Sequence, residues 1–110
     1  MASQKVLDRN TKDLVEKYLG RVQEAGIEVA EAFVFGSRVA GRADRHSDVD
    51  LAVVSPDFGK NRHEELVNLF KLVDVGTREL EPVPFSPQEL KDRWDPLAVE
   101  VRRKGVAVYP

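Results

Sequence analysis

The chain has no cysteine. That excludes disulfides, thiolate metal sites and cysteine nucleophiles, and it fits a reducing compartment, so the expected location is the cytoplasm. Histidines are scarce: His46 and His63 stand alone. Neither has a second ligand at metal spacing, so both read as surface residues. Excess positive charge is missing too. Seventeen Lys and Arg against 19 Asp and Glu leave a formal charge of −2, which gives no bulk basic field, and no duplex nucleic acid is expected as a partner. No apolar run is long enough for a membrane helix, and the N-terminus lacks the apolar core of a signal peptide, so no membrane is expected. There is no internal repeat and no low-complexity linker. What is present is 110 residues, 42% apolar and 33% charged. That is the composition of a folded domain with a heavily charged surface, long enough for one domain over residues 1–110 with one modest core.

The local signals predict the following order. Residues 1–9 are polar and expected to be flexible. Asn10 or Thr11 can cap a helix to about Ala25, with Gly26 ending it and Leu14, Tyr18, Leu19 and Val22 as its apolar stripe. Ile27 to Phe35 leads into and forms a strand, of which Ala32 to Phe35 is the buried run, and Asp48 to Val54 forms a second. Arg38 to Ala43 between them reads as a short helix. Ser55 to Gly59 is turn material, and Asn61 to Val75 a helix with Leu66, Leu69, Phe70 and Val73 inward. Arg78 to Phe85 alternates like a strand, with Leu80 on one face and Glu79, Glu81 and Val83 on the other. Pro82 and Pro84 lack amide donors and place it at an edge or a bulge. Ser86, Pro87 and Glu89 form a capped helix start. Trp94-Asp95-Pro96 breaks that helix, Pro96 to Lys104 forms a last helical segment with Leu97 and Val101 inward, and Val106 to Tyr109 a terminal strand. Trp94 and Phe85 read as core. The order of elements suits an α+β or α/β sandwich, a small mixed sheet with helices packed on it.

The chemistry gathers at Gly36-Ser37, ten residues, and Asp48-Val49-Asp50. Side chains alternate along a strand, so Asp48 and Asp50 point one way while Val49 points into the core. Two carboxylates so placed repel each other and lose hydration, and their usual remedy is a shared hard cation. Amides behind the turn and the Ser37 hydroxyl can hold phosphate oxygens, or Gly36 can simply permit a turn that Ser37 caps. Arg38, Arg42 and Arg45 are placed to meet triphosphate oxygens, although each singly reads as a surface charge. Asp44 and Asp57 read as loop and turn residues.

This pattern resembles the signature of the DNA polymerase β-type nucleotidyltransferase superfamily, and within it the minimal nucleotidyltransferase (MNT) domains. Gly41 and Ser47 also fall where those proteins commonly carry Gly and Ser. The resemblance covers most of the chain and implies the nucleotidyltransferase fold, with the Gly-Ser turn and the Asp pair at one end of the sheet. It implies transfer of a nucleoside monophosphate, AMP from ATP, to a hydroxyl, with two Mg2+ ions held by Asp48, Asp50 and a third acid. That acid is expected to be Glu81, with Glu79 as its rival; many relatives carry Asp there. The nucleotide-binding set so implied is Gly36, Ser37, Arg38, Arg42 and Ser47. No second domain is evident to grip an acceptor. The resemblance implies a protein partner, a HEPN-domain toxin whose tyrosine receives AMP, with this chain as the antitoxin. Two alternatives stand beside it. One is a non-catalytic antitoxin or nucleotide-binding module that covers a HEPN partner. The other is a small-molecule enzyme of the aminoglycoside type, which needs a homo-oligomer or a partner to complete its acceptor pocket.

Overall fold

Asp8 starts the first helix by accepting the Thr11 amide at 2.7 Å, and α1 runs Arg9–Glu24. The cap is therefore Asp8, not Asn10 or Thr11, which already lie inside the helix. The computed structural model describes residues 7–36 and 48–110. Within them Leu7 is buried in the core, so residues 7–9 of the stretch expected to be flexible are held in place. Gly26, at φ +92°, follows the end of α1 in a backbone conformation that L side chains rarely adopt. Val15, Tyr18, Leu19 and Val22 are buried and Leu14 only half-buried, a small rotation of the expected stripe.

Four strands follow among the described residues: β1 Glu31–Phe35, β2 Val49–Val54, β3 Leu80–Phe85 and β4 Val106–Tyr109. Their order is β3-β2-β1-β4. β1 pairs antiparallel with β2 and β4, and β2 pairs parallel with β3. A parallel pair needs a crossover, which α2, Arg62–Lys71, and a 3-10 turn at Val75–Thr77 provide. α2 stops at Lys71 rather than Val75. The chain is diverted there because Arg21 binds Leu72 O at 2.9 Å and Asp74 at 3.0 Å, while Asp74 and Thr77 cap the 3-10 turn reciprocally. Phe70 is consequently 46% exposed, not inward.

The sheet is covered on both faces. One cluster joins α1 and Leu69 of α2 to Val34, Val49, Leu51 and Leu80. The other joins α3, Pro87–Leu90, and α4, Pro96–Lys104, to Phe35, Ala52, Val54 and Phe85. The fold is α+β, a mixed four-stranded sheet with helices. Ser86, Pro87 and Glu89 form the expected capping box. Phe85 is core as expected, but Trp94 is 81% exposed. Asp92 accepts the Trp94 amide at 2.9 Å and Asp95 the Leu97 amide at 3.0 Å. These two bonds fix the backbone as a solvent-facing turn, and the indole lies under the Arg93 guanidinium, 5.4 Å away.

β3 is an edge strand, as its prolines require. Val49 donates to Glu79 O and Ser55 to Phe85 O. The odd residues of β3 thus turn their backbone polar groups toward β2, and Pro82 and Pro84 face the free edge, where no donor is needed. Among the described residues no helix is long and apolar enough to cross a membrane.

Candidate active site

The register of the sheet assembles the acids. Asp50 of β2 stands opposite Phe35 of β1 on one side and Glu81 of β3 on the other. Val49, Leu51 and Val53 are buried in the α1 cluster, so alternation turns Asp48 and Asp50 to the α4 face. Glu81 shares that face with Val83 and Phe85. All three acids lie where β1 ends and β2 and β3 begin. Asp48 and Glu81 are exposed and Asp50 half-buried.

Their carboxyl groups interact. Glu81 is hydrogen-bonded to Asp48, and with burial and the charges of Asp48 and Asp50 its carboxyl is pushed up to about 7. Burial raises Asp50 as well; the hydrogen bond from Glu81 works against that, and the charges of Glu100 and Asp48 add to it. Like charges crowded together hold a proton that each alone would release. Glu79, the rival acid, precedes β3 and takes no part in this set; its carbonyl accepts the Val49 amide at 2.8 Å.

Gly36 is fitted to the same group. It follows Phe35 at φ +86°, a conformation open to glycine and strained for L side chains. A Cβ there would overlap Asp50 Oδ2 and lie 3.2 Å from Asp50 Cγ. The bare Cα is the cradle in which the Asp50 carboxylate rests. The Gly and the second Asp of the motif are thus one packed unit.

The donor set is all carboxylate oxygen, which suits Mg2+. Among the described residues no three His, Asp or Glu side chains converge as a ready metal site. Asp48 and Asp50 from one strand and Glu81 from the next, joined by side-chain hydrogen bonds, are the carboxylates that would hold the ion. Ser37, Arg38, Gly41, Arg42, Asp44, Arg45, His46 and Ser47, with the expected helix over 38–43, lie outside the described residues. His63 is exposed on α2, and Asp57 is a turn residue that accepts the Glu28 amide at 3.1 Å.

One acid at this place was not singled out from the sequence. Glu100 of α4 is half-buried and close enough for its charge to act on Asp50. Its only sequence signal is that it falls three residues after Leu97, on the flank of a face read as apolar.

A family model described as a nucleotidyltransferase domain matches residues 15–101, a span that contains Gly36, Asp48, Asp50, Glu81 and Glu100. Among solved structures, the chain is similar to a candidate nucleotidyltransferase from Sulfolobus solfataricus. The TM-score is 0.59 and the identity 17%, over 90% of this chain and 76% of that one. At that identity the likeness speaks for the fold alone. No curated protein is a significant match. With the family model running from α1 into α4, the chain belongs to the nucleotidyltransferase domain family.

Proposed function

We propose that this chain is a magnesium-dependent nucleotidyltransferase that moves AMP from ATP to a hydroxyl on a HEPN-domain partner, which it thereby neutralises. The observation that carries this is the seating of Asp50 against the bare Cα of Gly36, beside Asp48 and Glu81, within a nucleotidyltransferase domain. In the reaction the acceptor hydroxyl gives up its proton to solvent as its oxygen bonds to the α-phosphorus, the bond from that phosphorus to the α–β bridging oxygen breaks, and pyrophosphate leaves. Bound Mg2+ would neutralise phosphate charge and polarise the attacking hydroxyl. Asp48, Asp50 and Glu81 would hold it. Gly36 keeps the Asp50 carboxylate fixed, so little reorganisation is needed when the ion arrives. Glu81, held near neutrality by its neighbours, exchanges its proton in the pH range where the acids must become ligands.

In the non-catalytic alternative the same fold only covers its partner. Two measurements separate the readings. Saturating ATP with Mg2+ should raise the melting temperature of the wild type, since a ligand of the native state alone must stabilise it. The shift should vanish in Asp50→Asn. Mass spectrometry of a co-expressed HEPN-domain partner should show one added AMP with the wild type and none with Asp48→Asn or Asp50→Asn. A neutralised partner without added mass selects the covering role. Unchanged melting, with the partner present as well as absent, contradicts nucleotide binding altogether.

A further inference from the structure

The acids of β2 and β3 share their face of the sheet with α4. Ala98 and Val101 of α4 are buried with Phe35, Ala52 and Val54. A Cβ on Gly105 would meet Phe33 Cβ at 3.3 Å, so the end of α4 lies over β1. Glu100 is five residues before Gly105, about 7 Å along a helix. Phe35 is two residues beyond Phe33, about 7 Å along a strand, and Phe35 is the residue paired with Asp50. Glu100 is half-buried on the helix that packs on Phe35, and its charge is felt at Asp50 together with that of Asp48. A half-buried carboxylate whose charge acts on other carboxylates is unfavourable unless positive charge sits among them.

We propose that Glu100 is part of the cation site: a carboxylate from α4 that deepens the negative potential around Asp50 and so tightens divalent-cation binding, an inference that rests on the metal-dependent function proposed above. It acts through the field and not through a bond to the ion, and it stands outside the Gly-Ser and Asp-x-Asp pattern.

Calorimetric titration of the full chain with Mn2+ tests this without reference to activity. Glu100→Gln should weaken Mn2+ binding roughly three- to tenfold, the size of a partly screened charge effect. Glu100→Asp keeps the charge and should stay within about twofold of wild type. Glu24→Gln, a remote exposed acid on α1, should do the same and so controls for bulk charge. In the metal-free state Glu100→Gln should melt no lower than wild type, because a repulsion has been removed. If Glu100→Gln binds Mn2+ as wild type does while Asp50→Asn does not, the role of Glu100 is overturned and the metal site stands. A Glu100→Gln variant that melts well below wild type shows a structural carboxylate and overturns the inference as well. A wild type that takes up no Mn2+ overturns both it and the metal-dependent function.

Discussion

Glu79 and Glu81 differ by one repeat along the chain, yet only Glu81 stands beside Asp50 in the parallel ladder. Glu81→Gln should lower transfer on the order of a hundredfold while ATP affinity changes by less than about threefold, because its role falls mainly in the transition state. Glu79→Gln should be near wild type in both, and equal losses at the two positions would show that strand charge, not position, is being measured. Gly36→Ala should cost about 1–2 kcal/mol for the backbone alone and turn the Asp50 carboxylate out of place. Urea unfolding should show the first effect and loss of the Mg2+-dependent melting shift the second. That Asp48 and Asp50 share a face was legible in the sequence because alternation has period two and needs no knowledge of the fold; Glu81 was singled out by the family resemblance, since spacing alone reads it as an ordinary edge-strand residue. The tie between Gly36 and Asp50 was not legible, since it depends on which strands pair and in what register. Glu100 was hidden for the same reason. Trp94 reads as core from its size, but Asp92 and Asp95 hold its backbone in a turn.

α2 owes its start to a contact that helical periodicity does not weigh. Glu65, at 9% exposure, accepts the amides of Gly59, Lys60 and Asn61 at 3.0, 2.9 and 3.0 Å. Burial pushes its carboxyl up, but those amides and the Arg62 charge outweigh it and hold the group below its usual value. Asn61 caps the same turn through the Glu64 amide. Glu65→Gln should lower stability by about 1–3 kcal/mol through lost charge-assisted bonds and an unsatisfied amide. The check is a reduced urea midpoint with unchanged slope; a midpoint within error of wild type would show the bonds are replaced by water. At this scale the sequence predicted the described strands and α-helices, because each carries a period, a cap or a turn signal, but not the 3-10 turn at Val75–Thr77, which Asp74 and Thr77 fix. The boundaries shifted where long-range bonds decide them. Arg21 reaching Leu72 and Asp74 cuts α2 short, and Tyr18, donating to Leu69 O at 2.7 Å, fastens α2 to α1.

For the whole molecule, the acids impose a pH profile. In the folded, metal-free chain Glu81 is held up to about 7 and Asp50 is also raised. Both keep protons that the unfolded chain has already lost, so their contribution is complete below the ordinary carboxylate range; that of Glu81 disappears as pH rises through about 7 and that of Asp50 as pH rises through its own raised value. Glu65 is lowered and works in the opposite sense, its contribution being lost as pH falls through its folded value. Metal-free melting should therefore peak near about pH 5 and decline toward about pH 7.5, with the decline flattened in Glu81→Gln and by saturating Mg2+, which replaces the proton. A melting temperature that climbs steadily from acid to neutral pH would contradict the coupling of these groups. The order of elements pointed to an α+β or α/β sandwich, and the family resemblance to the same fold. The sheet order was not legible, because four short strands can be paired in several ways and only tertiary packing selects among them.

The two edges of the sheet differ in kind. β3 turns two prolines outward, while β4, Val106–Tyr109, carries none and pairs on one side only among the described residues. Filament growth by strand addition requires that every added copy offer a fresh edge. Among the described residues the edge beyond β4 keeps its amide donors, while at the opposite edge Pro82 and Pro84 remove two of them. The prolines thus act as a brake on strand addition at β3 as well as a mark of where the sheet stops.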